Sequence, residues 1–326
     1  MAIATSYNIA SNREDVSSGI NRIAPEITPM YSMLKKGKAP SAAYSEWVVD
    51  DLADPDLTAT EEGSDITAFE NAGENRTRIG NYLQRKERAW SVSDLQMLVD
   101  DAAVANQVAE SKAKKLLEHR RDLASVIGGS QDLVAGGGAT AAKTRALGSW
   151  ISNSAQATLP VAADFRTPAA SIDGTAAASF GEAEVNAVLQ SMFSQTGTLA
   201  SHKLYLGTSL KKEFSEFSRT GSSNGVYRQN EDASSNKVTK NVLVYESDFG
   251  SLDLVTDLFL ARDGTATEQA MRGYIVDPSL VEVAFADGPA HFDGVDEGGG
   301  PRGWYKSWFM LKCKNPLGLG KFNATA

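Results

Sequence analysis

Residues 137–144 come closest to a recognisable chemical motif. They read GGATAAKT, whereas a phosphate-binding loop requires Gly-x-x-x-x-Gly-Lys-Ser/Thr. Ala142 stands where the second glycine is needed, and no strongly apolar strand leads into the segment. The sequence therefore favours a flexible Gly/Ala loop. A soluble α+β nucleotide-binding enzyme that uses this degenerate P-loop stays open as an alternative.

The other reactive residue types lack the spacing that chemistry requires. His119, His202 and His291 are scattered, and the single cysteine, Cys313, sits in an apolar run typical of a packed side chain. The triplet at 248–250 spells the kinase motif Asp-Phe-Gly without its companion motifs, so a turn is favoured. We expect no catalytic residues, no metal site and no cofactor.

Composition limits the function further. The chain has 326 residues, 42% of them hydrophobic, and a net charge of −9, which disfavours a protein that wraps DNA tightly. The sequence contains no run of about eighteen apolar residues, so no membrane span is predicted. The first residues lack the pattern of a secretory signal, and a single cysteine fits a reducing compartment.

The chain begins with a long segment that buries little of itself. Pro25, Pro29 and Pro40, with the Lys-Lys-Gly-Lys run at 35–38, interrupt every helix or strand pattern between residues 14 and 44. Such a segment either remains disordered or lies along another surface. We interpret it as an arm that lies on a neighbouring molecule, which indicates assembly rather than catalysis.

Two extended segments, 46–52 and 76–92, follow the arm and flank an acidic, turn-rich tip. They predict a long hairpin with almost no core of its own, which is marginal in isolation and needs support. For Trp47, on the first segment, we favour an interface contact over core packing.

A helix is predicted next, over about 93–128. Ser93 and Gln96 form a capping box, and apolar residues then recur at helical spacing as far as Gly128. About 34 residues at 1.5 Å per residue would make a rod roughly 50 Å long. A loop-rich region to 178 and a second capping box, Ser179 with Glu182, follow.

The rest of the chain mixes helices and strands. Thr208 or Ser209 is predicted to cap a third helix, and a polar loop at 219–237 follows it. Strands are predicted at 203–206, 238–246, 251–260, 274–276, 280–285 and 304–314. The order predicts an α+β fold, because helices and strands do not alternate strictly.

The order of these parts resembles the HK97-fold major capsid proteins of tailed bacteriophages, in a branch with a short N-terminal arm and no fused scaffolding domain. The resemblance covers nearly the whole chain. Its stretches are INRIAPEITPMYSMLKKGKA, SEWVVDDLADPDLTATEEGSD, NRTRIGNYLQRKERAWSVS, QVAESKAKKLLEHRRDLASVIGG and WFMLKCKNPLGLGKF. It implies an arm (1–44), an extended loop (45–92), a peripheral domain (93–178 and 291–326) and an axial domain (179–290).

The resemblance implies a structural protein of the virion that assembles from many copies of itself, as hexamers and pentamers, around double-stranded DNA. Separate scaffolding, portal and decoration proteins are the further partners it implies. An encapsulin-like compartment with the same fold is the alternative. Deletion of residues 1–44 is expected to leave a soluble subunit that forms no shells. The expected inter-subunit contact residues are Ile23, Ile27, Tyr31, Trp47, Glu61, Glu62, Asp65, Arg76, Arg78, Arg85, Lys86 and Arg88.

Overall fold

The computed structural model describes residues 22–67, 69, 71, 73, 75–99, 101, 104–176, 179–197, 201–217 and 242–323. It confirms the predicted α+β class. The helices are α1 (Pro29–Met33), α2 (Asp94–Leu98), α3 (Gln107–Ile127), α4 (Leu147–Trp150), α5 (Glu182–Thr196), α6 (Thr208–Phe217) and α7 (Ala266–Met271). The strands are β1 (Lys35–Lys36), β2 (Tyr44–Val49), β3 (Thr77–Tyr82), β4 (Gln84–Ser91), β5 (Ile172–Asp173), β6 (Ser201–Leu206), β7 (Val244–Ser247), β8 (Gly250–Thr256), β9 (Arg272–Val276), β10 (Val281–Asp293), β11 (Arg302–Cys313) and β12 (Gly320–Asn323).

The described strands form three sheets. One has four strands in the order β1-β10-β11-β4, and α3 packs against its β4 and β11. A second has six strands in the order β5-β12-β9-β6-β8-β7, and the third is the β2-β3 pair. The domain boundary expected at residue 290 falls inside β10, which pairs with β11 along its length.

The predicted single helix over 93–128 is wrong. Helix α2 ends at Leu98 because Val99 has an extended backbone, with ψ of 135°. Helix α3 starts afresh after Asn106, whose side-chain oxygen accepts a hydrogen bond from Ala109 N at 3.0 Å. Its 21 residues make a helix about 31 Å long rather than about 50 Å.

The predicted segment 76–92 forms two strands that belong to different sheets. The break falls at Leu83, after which β4 joins β11 while β3 pairs with β2. The base of the β2-β3 hairpin packs on the main core, where Val49 is 5% exposed and Ile79 4% exposed. The prediction of a hairpin without a core is therefore wrong for its base.

The second predicted capping box is displaced by two residues. Helix α5 begins at Glu182, and Glu184 Oε2 accepts a hydrogen bond from Gly181 N at 2.9 Å. Its apolar face joins Phe214 of α6 and Phe322 of β12 in a core beside the six-stranded sheet. The third predicted helix is present as α6, but Thr208 is its first residue and not its cap. The predicted strand at 238–246 is described only from 242, and the predicted loop at 219–237 lies outside the described residues.

The described part of the arm lies on its own subunit, whereas the sequence predicted that it lies on a neighbour. It supplies Met30 and Leu34 to the main core, so the expectation that deletion of residues 1–44 leaves a soluble subunit does not hold. Met30 is completely buried, and its backbone N–H donates to Asp257 Oδ2 at 2.9 Å. Arg120 Nε donates to Thr28 Oγ1 at 3.0 Å. Strand β1 then adds to the four-stranded sheet by parallel pairing with β10.

The arm follows helix α3 along most of its length. Arg22 forms an ion pair with Glu110 near the start of α3, and the Met30 side chain lies against Gly128 at its end. The arm therefore runs beside α3 from near its first turn to its end.

Replacement of Met30 by alanine is expected to destabilise the subunit by about 2–5 kcal/mol, because it leaves a cavity in a fully buried site. Ile27, three residues earlier, is 79% exposed, so Ile27→Ala is the matched control and should change stability by less than about 0.5 kcal/mol. Urea unfolding of the two variants measures the difference. Equal effects would show that the arm is not docked on α3.

Candidate subunit interfaces

Exposed apolar side chains concentrate in three places in the described chain: the arm, the tip of the hairpin, and helix α2 with the residue that follows it. All are more than half exposed: Ile23, Ile27, Leu52, Leu57, Ile66, Phe69, Leu95, Met97, Leu98 and Val99. Apolar surface on this scale usually marks contact with another molecule. The three segments are therefore the strongest candidates for contact with a second subunit.

The arm presents two of its predicted contact residues outward. Ile23 and Ile27 are fully or mostly exposed, although the chain around them is docked on α3. Tyr31 is half-buried, and the Arg120 guanidinium lies 5.9 Å from its ring centroid. Burial raises the pKa of Tyr31, against the opposing charge of Arg120.

The acidic tip is exposed throughout its described length. Residues 50–67 hold seven carboxylates and no lysine or arginine, and every one of these residues is exposed. Glu61, Glu62 and Asp65 lie at its centre. The hydrogen bonds of residues 55–67 that the structure shows are local, such as Ser64 to Glu61, so the tip does not rest on the body of its own subunit.

The four arginines at 76, 78, 85 and 88, expected to meet a neighbour's tip, are paired within their own chain. Arg88 makes the best-formed pair, with two hydrogen bonds to Asp122 at 2.6 and 2.7 Å. The remaining pairs are Arg76 with Asp50, Arg78 with Glu46, and Arg85 with Glu87. Lys86 is half-buried on β4. The four arginines are thus partly neutralised before any neighbour arrives.

Trp47 packs on its own subunit rather than projecting freely. Its ring centroid lies 5.8 Å from that of Trp150, and Lys312 Nζ lies 5.4 Å from the ring. The indole is half-buried against the main core. A contact of Trp47 with another subunit stays a prediction.

The degenerate P-loop forms a small hairpin, so the nucleotide-binding interpretation loses its structural basis. Val134 pairs with Lys143, and Gly137 pairs with Thr140. Thr144 is buried, and its hydroxyl accepts a hydrogen bond from Leu311 N at 3.2 Å. A phosphate-binding loop requires a strand before it and a helix directly after it, with free backbone N–H groups.

The histidines and the cysteine are packed or separated. His119 Nε2 lies 2.9 Å from Ser307 Oγ, and burial lowers the pKa of this histidine. Burial likewise raises the pKa of the Cys313 thiol. Within the described ranges, no three His, Cys, Asp or Glu side chains are placed to share a metal ion. No helix in those ranges is long and apolar enough to span a bilayer.

A buried polar network, which the sequence did not reveal, holds the hairpin to the body. Asn81 Nδ2 donates to Leu311 O at 2.7 Å and to Arg145 O at 3.2 Å. Its Oδ1 accepts from Arg145 N at 2.7 Å. The Arg145 side chain is 1% exposed and donates to Asp132 and to Thr158 O. The one sign of this network in the sequence was an asparagine within a predicted strand, where this residue type is unfavourable.

The architecture is that of phage capsid subunits, with an HK97-like fold. The capsid protein of cyanophage P-SCSP1u superposes with a TM-score of 0.60 at 7% identity, covering 96% of this chain and 93% of that one. The capsid of a native GTA particle gives 0.60 at 14% identity, with 98% of both chains covered. The capsid of cyanophage Pam1 gives a TM-score of 0.58 at 13% identity, covering 99% of this chain and 98% of that one. No curated protein sequence matches the chain.

Residues 3–326 match the model of the SU10 major capsid protein family, and the chain belongs to that family. It is therefore a structural component of the shell of a tailed phage. The capsid fold and the structural role expected from the sequence are confirmed.

Proposed function

We propose that this protein assembles, in many copies arranged as hexamers and pentamers, into the icosahedral head that encloses double-stranded DNA, without enzymatic activity of its own. The observation that supports this most strongly is the match to a capsid family over residues 3–326. The exposed arm residues, tip and helix α2 supply the unpaired surface that a closed shell of identical subunits requires.

In this proposal the tip lies over an adjacent subunit, and Ile23 and Ile27 contact another. The arm, extended loop, peripheral and axial parts divide the chain near residues 44, 92 and 178. The pairing of β10 with β11 favours a last boundary near 280 rather than 290. The axial part then consists largely of the six-stranded sheet with α5 and α6.

Purified protein is expected to form closed shells that are visible in negative-stain images. A monodisperse monomer at high protein concentration would contradict the proposal. Particles isolated from an infected host should contain DNA that survives nuclease treatment. Particles that contain a second protein and no DNA would instead support the encapsulin-like alternative.

A further inference from the structure

Two arginines outside the predicted basic strand are available to a partner. The guanidinium carbons of Arg121, on α3, and Arg262, in the loop after β8, each lie 5.6 Å from the centroid of the Phe259 ring. Phe259 is 2% exposed, so its ring is held firmly in place. Within the described residues, neither guanidinium forms an ion pair, unlike Arg76, Arg78, Arg85 and Arg88. Arg262 Nε donates to Leu258 O at 2.8 Å, so the two terminal nitrogens of this guanidinium are the ones that a partner can reach.

The two arginines line a polar cavity of about 420 Å³, which Ser125 also lines. Two acids border the same cavity, but each already has a cation. Arg88 binds Asp122 through two hydrogen bonds, and Lys115 Nζ lies 2.7 Å from Glu118. The cavity therefore retains an excess of positive charge from Arg121 and Arg262.

We infer that this cavity receives the carboxylates of Glu61 and Glu62 from the tip of a second copy of the chain. The inference rests on the proposed function and names the residues that receive the loop. A guanidinium fits a carboxylate through two parallel hydrogen bonds. Because both arginines are stacked on a fixed ring, little side-chain freedom is lost on binding.

A carboxylate of the chain itself fits the cavity better than a phosphate of DNA. The tip is fully exposed and contains no cation that would compete for its acids. The tip brings its carboxylates on a projecting loop, so a second copy can place them in one local positive site. Charge complementarity of this kind fixes register between subunits more than it adds affinity.

Charge reversal tests the assignment. The double substitution Arg121→Glu/Arg262→Glu is expected to lower the yield of shells at least tenfold, and Glu61→Lys/Glu62→Lys should do the same. The four substitutions together should restore assembly, because the pair is re-formed with opposite signs. Lys114→Glu/Lys212→Glu, two exposed lysines on α3 and α6, is the control with an equal change in net charge and should assemble normally.

Cysteine pairing tests the contact without reversing charge. A mixture of Arg262→Cys and Glu62→Cys subunits should form a covalent dimer on oxidation, since the native Cys313 is buried and does not compete. The inference would be overturned if the Arg121→Glu/Arg262→Glu variant assembled fully into shells and the cysteine mixture formed no covalent dimer. Normal shells that lose their DNA would assign the cavity to phosphate and overturn it as well. A wild-type protein that forms no shells would instead contradict the proposed function.

Discussion

A chain in which residues 55–67 are replaced by a four-residue Gly-Ser link is expected to fold normally and to form no shells. Every one of these residues is exposed, and the hydrogen bonds shown for them are local. The free energy of unfolding should change by less than about 0.5 kcal/mol, because shortening a surface loop alters closure entropy only slightly. Assembly should be lost, because the excision removes Leu57, Ile66 and four of the tip's carboxylates.

Sedimentation of the assembled fraction and urea unfolding of the subunit measure the two halves of this prediction separately. The neutral variant Asp56→Asn/Glu61→Gln/Glu62→Gln/Asp65→Asn keeps the loop and its apolar side chains, so it reports the contribution of charge alone. The difference in shell yield between this variant and the wild type should be largest at low ionic strength, where surface charge is least screened. Shells of normal yield from the excised chain would show that the tip contacts no neighbour.

Replacement of Asn81 by aspartate is expected to have the largest effect on the subunit itself. The asparagine and aspartate side chains have nearly the same shape. Only asparagine has the Nδ2 group, which donates to the carbonyls of Arg145 and Leu311. A carboxylate oxygen in its place faces two acceptors in a site that is completely buried. The expected loss is roughly 3–5 kcal/mol at pH 7, the range for an uncompensated buried charge.

The sign of the pH dependence separates this cause from a simple packing defect. Burial and the two carbonyls disfavour the charged form, so the pKa of the introduced carboxyl is raised in the folded state. The variant should therefore regain stability relative to wild type as pH falls from 7 to 5, and lose it as pH rises through that pKa. Asn75→Asp, at an exposed position, is the control. A pH-independent loss at Asn81 would contradict the explanation.

The sequence allowed prediction of those elements whose signals are local. Helix α6 and the long strand β11 agree with the predicted elements, because apolar patterning acts within a few positions. The break between α2 and α3 was missed, since the apolar spacing continues through it while Val99 turns extended and Asn106 caps a new helix.

The rest could not be predicted because it depends on contacts between distant residues. Met30 N and Asp257 are 227 positions apart, and nothing near either residue indicates the other. The arginines of β3 and β4 looked free in the sequence, yet Arg88 meets Asp122 on a different element. Whether a charged side chain is already paired depends on the folded surface. For this reason only the structure identified Arg121 and Arg262 as arginines without an ion pair among the described residues.

The docked arm also has a mechanical consequence. Its hydrogen bonds to Arg120 and Asp257 and the parallel pairing of β1 with β10 follow one another along the path of residues 22–36. A pull on residue 22 along α3 therefore stresses these attachments together, in shear, and does not peel them apart one by one. Through Asp257 the tension reaches the six-stranded sheet, and through β1 it reaches the four-stranded sheet. Tension applied to the arm within a shell would therefore be resisted by both sheets of the subunit at once.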